Sequence, residues 1–164
     1  MTKTAAGLLL GLLIALPLAA QPPAADAKAG QESTEQILAN FGNDLQAAET
    51  DIVSKAISLT TDEATKFWPV FKQFQSEQRV IIDAQIAALT KYSHAYATLT
   101  DADATAYVTA LLDRDQKIHD LRVKYLAEYA KILAPGKAAR VIHLTRKLGF
   151  MSQAKLAEEV PLVR

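Results

Sequence analysis

Three histidines, His94, His119 and His143, are the residues most suited by type to hold a metal ion. Imidazole is the commonest protein metal ligand, and Met151 or an acid could complete such a site. No H-x-x-x-H pair sets two of them one turn apart on a helix face, so they are weak candidates and no metal is assigned. Nucleophilic chemistry has less support. The 164 residues contain no Cys, and no serine sits in a G-x-S-x-G elbow. Neither H-E-x-x-H, G-x-x-x-x-G-K-[ST] nor G-x-G-x-x-G occurs. The expectation is a protein that is not an enzyme and that needs no cofactor.

Two other groups of residues could bind rather than react. Phe67, Trp68, Phe71 and Phe74 concentrate four of the eleven aromatic residues in one short stretch. At about 100° per residue Phe67, Phe71 and Phe74 share one helix face, as a core or a dimer seam, with Trp68 to one side. Arg114, Lys117, Lys124 and Lys131 form a stripe beside an apolar seam, with Arg122 nearby. Residues 114–147 carry nine bases against three acids, a net of +6, whereas residues 26–63 carry eight acids against two bases, a net of −6. A solvated face, or pairing with the acidic segment, explains this stripe; a basic rim around an apolar groove that attracts acidic partners is the alternative. The whole chain, with 18 bases and 18 acids and a pI near 6.8, has no footprint for nucleic acid.

The elements that position these residues are helices. Nearly everything after residue 33 follows a helical period and nothing alternates like a strand. A helix-start pattern recurs: Leu59-Thr60-Thr61-Asp62-Glu63-Ala64, Leu99-Thr100-Asp101-Ala102-Asp103-Ala104 and, loosely, Leu133-Ala134-Pro135-Gly136-Lys137-Ala138. Thr60 with Glu63, and Thr100 with Asp103, have the layout of a capping box, with Leu59 and Leu99 placed for a hydrophobic staple. Pro135 suits the first helical position, where a missing N–H costs nothing. The starts divide the chain into helices over about 34–57, 61–97, 101–132 and 136–158. Pro69 should kink the second, since the carbonyl of Thr65 loses its partner. At 1.5 Å per residue the second and third helices would run roughly 55 and 48 Å. A compact globule of this size has a radius of gyration of only about 14.5 Å. A thin, elongated hairpin with an open apolar face is therefore expected.

The N-terminus reads as an export signal. Lys3 precedes an uncharged run from Ala5 to Leu16, closed by Pro17. That run is shorter than the roughly 20 residues of a membrane span, so a cleaved signal over 1–20 fits better than an anchor. Cleavage fits after Ala20 or after Ala27, where Ala25-Asp26-Ala27 has the small-x-small form. Residues 21–33 read as a disordered leader and 34–164 as the folded domain, with no stable membrane span. An exported chain without Cys has to be held by helix packing, by dimerisation or by both, and the bacterial periplasm is the natural compartment.

The stretch Leu59-Thr60-x-x-Glu63-Ala64 with Lys66-Phe67-Trp68-Pro69-Val70-Phe71 resembles the LTxxQ-motif region of the Spy/CpxP-like periplasmic proteins. Leu133-Ala134-Pro135-Gly136-Lys137-Ala138-Ala139-Arg140 is similar to a degenerate second copy, and the tail from Leu156 to Val163 to the ending of that group. Glu63 stands where the motif has Gln, and Ala134 and Lys137 stand where the second copy has Thr and Gln. The resemblance implies an all-α, curved four-helix hairpin pairing as an antiparallel dimer around a concave face. It implies an ATP-independent chaperone that binds unfolded or stress-exposed envelope proteins. Phe67, Trp68, Phe71 and Phe74 would then supply apolar contact, and Arg114, Lys117, Arg122, Lys124 and Lys131 charge attraction. A periplasmic metal binder or sensor, or an adaptor of an envelope-stress signalling kinase, is the alternative.

Overall fold

The computed structural model describes residues 34–163, so the expected signal and leader, and Arg164, lie outside the described residues. Within them the chain is all-helical: α1 (Thr34–Ala56), α2 (Thr61–Ala95), a 3₁₀ turn (Tyr96–Thr98), α3 (Asp101–Ala130) and α4 (Pro135–Glu158).

Local chemistry sets these starts. The Thr60 hydroxyl accepts from the Glu63 N–H at 3.2 Å, and the Glu63 carboxylate accepts from the Thr60 N–H at 2.8 Å. Thr100 and Asp103 repeat the box at 3.2 and 3.4 Å. Each box satisfies two of the donors that a helix N-terminus leaves open. At α4 Pro135 takes the first helical position, with no side-chain cap. Helix α2 runs as one element from Thr61 to Ala95 through Pro69. At the end of α3 the Leu133 N–H bonds the Tyr129 carbonyl at 2.8 Å, tightening the turn into α4.

The four helices pack in a ring, α2 on α3, α3 on α4, α4 on α1 and α1 on α2. Cross-contacts give their directions. Gln46 meets Gln75, while Glu77 meets Lys124 and Tyr92 meets Tyr107, so α1 and α3 both run antiparallel to α2. Glu63 meets Lys137 and Gln85 meets Gln153, so α2 and α4 start from the same end. This is an up-down-up-down bundle. The seam between the longer pair, α2 and α3, is not left open, because α1 and α4 lie over it.

The core has two parts. Val53, Ile57, Phe67, Phe71, Phe74, Leu121, Tyr125, Tyr129, Leu133, Ala138 and Val141 fill the end nearest the start of α2. Leu38, Phe41, Leu45, Ile82, Leu89 and Leu156 fill the other. Between these levels the inward positions are polar: Glu49 on α1, Gln75 and Gln78 on α2, and Thr145 on α4, all buried.

Candidate binding face and buried polar layer

The aromatic residues expected to meet a partner are in the core. Phe67 and Phe71 are 0 % exposed and Phe74 is 1 % exposed. Their rings run as a ladder, with centroids 5.5 and 6.0 Å apart, and continue into Tyr129 and Tyr125 of α3. Trp68, half-buried, sets its edge against Phe67 and Phe71. The expectation that Phe67, Phe71 and Phe74 form a contact surface is corrected on this point. Their common face is the one that α1, α3 and α4 cover.

In the basic stripe the pairing reading describes what is seen, although the carboxylates that neutralise most of it come from α2 and α3 and not from the acidic first helix. Lys117 pairs with Asp113, Lys124 with Glu77 and Lys131 with Glu128, each at 2.7 Å, and Arg114 with Asp115 at 2.6 Å. The Lys124 bond holds the Glu77 carboxyl below the usual carboxylate range, helped by the Tyr125 hydroxyl that donates to Glu77 at 2.9 Å. Burial first, and then Glu77, push the Tyr125 phenol up. Lys117 and Lys124 still line a cleft of about 600 Å³ between α2 and α3, over Val80, Ile81 and Leu121, with Glu77 and Asp120 beside them. Its charges balance, so it carries no excess that would draw acidic partners.

Arg122 differs from these bases. Its Nε is buried without a hydrogen-bond partner, as is the Nε of Arg114. A Cβ added at Gly149 would stand 2.8 Å from the Arg122 Nη2, so the glycine leaves room on α4 for this guanidinium. Gly42 of α1 leaves room in the same way for Arg79, which bonds Asn43 and Asp83. Burial, and then repulsion from Arg114, lower the Arg122 pKa, while Glu49 opposes them.

The histidines do not meet. His94, His119 and His143 are exposed on α2, α3 and α4. Among the described residues no group of three His, Cys, Asp or Glu is placed to hold a metal ion. The motif residues serve the fold. Thr60 and Glu63, and Thr100 and Asp103, are the caps described above, and Leu59 packs against the first core cluster. Glu63 also accepts from Lys137 at 2.7 and 3.0 Å, so the first and third copies of the repeated pattern join the starts of α2 and α4. Lys137 is the first cause holding the Glu63 carboxyl below its ordinary value.

Two features were missed from the residues alone. Helix α3 carries a second apolar stripe, Val108, Leu112, Val123 and Leu126, which at 100° per residue falls within about 60° of arc. All four are exposed, as are Phe150 and Met151 on α4. Val123 follows Arg122 and Phe150 follows Gly149, so both exposures flank one α3–α4 crossing. The Arg146 guanidinium lies 4.5 Å from the centre of the Phe150 ring, which leaves a cation within this apolar area. The other feature is the polar layer. The Glu49 Oε1 accepts from Gln78 Nε2 at 2.9 Å, whereas Glu49 Oε2 and Gln78 Oε1 are buried without a partner. Burial pushes the Glu49 carboxyl up to about 7, against the opposing pull of Gln78, Gln75 and Arg122.

Comparison with protein-family models, with curated proteins and with solved structures finds no match for this chain. The resemblance to the Spy/CpxP-like proteins rests on the motif residues alone.

Proposed function

We propose that this chain is an exported, non-enzymatic binding protein that holds unfolded or stress-exposed envelope proteins in the periplasm without ATP. The binding face in this reading is the α3–α4 surface, and the exposed stripe of Val108, Leu112, Val123 and Leu126, with Phe150 and Met151, is the observation that carries it. Two exposed apolar pairs on one side of α3, with the Phe150–Met151 step of α4, are apolar surface of the kind that usually marks an interaction site. Aliphatic, aromatic and thioether side chains mixed along two helices offer contact to many sequences and shape complementarity to none. That pattern suits weak, promiscuous binding of extended segments better than one folded partner. Arg146 adds a cation for acidic residues in such a segment. Two copies pairing through the same face would form the curved antiparallel dimer that the resemblance implies, a state that sedimentation at several concentrations reads out.

The test is light scattering of a denatured client without ATP, using the wild type and the L112D/V123D double variant. Suppressed aggregation by the wild type, lost in a double variant with unchanged helical circular dichroism, supports the reading. Equal suppression by both proteins places the client elsewhere, and no suppression by the wild type ends the chaperone-like reading.

A further inference from the structure

We infer that Glu49 is held as the neutral acid, its Oε2–H donating to Oε1 of Gln78, and that loss of this proton loosens the middle of the bundle. The geometry is that of an acid facing a primary amide. One bond of the pair is already present, from Gln78 Nε2 to Glu49 Oε1 at 2.9 Å. The other two oxygens, Glu49 Oε2 and Gln78 Oε1, are both buried and both lack a partner. They belong to the two groups that the first bond joins, and both are acceptors. Flipping the amide does not help, because its single nitrogen can serve only one of the facing positions. A proton on Oε2 is what turns the pair into a closed acid–amide ring, satisfying two orphan acceptors at once. Leaving both open keeps the desolvation cost of two buried polar atoms uncompensated.

The groups around Glu49 do not remove the need for that proton. From α2 the neighbours are Gln75 and Gln78, which carry no charge; both amides pull the Glu49 carboxyl down, but less than burial raises it, and the Gln75 nitrogen also bonds the Gln46 carbonyl and the Thr50 hydroxyl, at 2.9 and 3.1 Å. From α3 two titratable groups act on it, Arg122 and Tyr129. No ion pair within 4.0 Å joins Arg122 to Glu49 among the described residues, and the Tyr129 hydroxyl is buried without a partner. From α4 the side chain at this level is Thr145, while Arg146 acts on Arg122. The raised Glu49 pKa, near 7 and caused first by burial, agrees with the ring.

The position of the pair makes its proton matter to the fold. Helix α1 holds α2 here through polar contacts: Gln46 and Thr50 with Gln75, and Glu49 with Gln78. An ionised Glu49 sets a carboxylate oxygen against an amide oxygen inside this contact, and α1 is the helix it would release. The sign follows from the raised pKa. The stabilisation is fully present below the ordinary value of 4.5 and is lost as pH rises through about 7.

The experiment has two arms on the purified protein. Urea unfolding from pH 5 to 8 is compared between wild type and E49Q, whose amide can close the same ring without a proton. The wild-type folding constant should fall by roughly two orders of magnitude relative to E49Q across this range, with E49Q the more stable at pH 8. Parallel pH profiles overturn the inference. Carbon-13 NMR of the wild-type Glu side-chain carboxyls is independent of whether E49Q folds. One carboxyl titrating near pH 7 and absent from E49Q supports the ring, whereas all carboxyls titrating below pH 5 refutes it.

Discussion

At the scale of single residues, packing decides what each aromatic ring is for. Phe71 stacks between Phe67 and Phe74 with no exposed surface, so truncating it opens a cavity on which α1, α3 and α4 cannot all close. The Phe71→Ala variant should lose about 3–5 kcal/mol of stability, measured by urea unfolding, and its effect on client binding should follow that loss. Thr60→Ala removes one capping bond and should cost about 1 kcal/mol. The helix starts, Thr60 with Glu63 and Thr100 with Asp103, were legible because a cap is a local device written in four consecutive residues. The fate of Phe67, Phe71 and Phe74 was not. Their spacing says that they share a face, and only tertiary packing says whether that face is covered by the same chain or by another molecule. Glu49 is a third kind of case. It occupies the inward slot between Leu45 and Val53, four residues from each, so the break in the apolar period was visible. The pairing with Gln78, 29 residues on, was not.

At the scale of the helices, two contacts tie elements that do not follow one another in the chain. The Glu63–Lys137 pair joins the starts of α2 and α4, and its carboxyl titrates below the ordinary range. A lowered pKa contributes stability that is present above 4.5 and lost as pH falls through the folded value. The Lys137→Met variant should therefore be less stable than the wild type above pH 5 and converge with it at the acid end, flattening the acid limb, a difference read by urea midpoints from pH 2 to 7. The second contact is the seat of Arg122 on Gly149. Alanine favours a helix over glycine by about 1 kcal/mol, yet a Cβ here would meet the guanidinium at 2.8 Å. Gly149→Ala should thus be more stabilising in an Arg122→Met background than alone, and a double-mutant cycle should give a clear coupling. Helix α3 shows why its second face went unread. Leu111, Ile118 and Tyr125 form an apolar series with a period of seven, and once that is taken as the seam, Val108, Leu112, Val123 and Leu126 look like scatter. Those four share a face of their own, which the bundle leaves uncovered.

At the scale of the molecule, four helices close on themselves and move the aromatic seam from the surface to the interior. The apolar surface left outside includes aliphatic residues of α3, the Phe150–Met151 step on α4 and Val80 of α2, while Lys117, Lys124 and Lys131 are paired with nearby carboxylates. A binding protein built this way would hold its clients on one side of a closed bundle, with no opening needed for contact. Site-specific photocrosslinking tests that claim most directly, with a photoreactive residue placed in turn at Leu112, at Phe150 and at the exposed Asp51 of α1, and a denatured client added without ATP. Strong client crosslinks are expected from positions 112 and 150 and little from 51. Equal crosslinking from all three positions, or none from the two on α3 and α4, would contradict it.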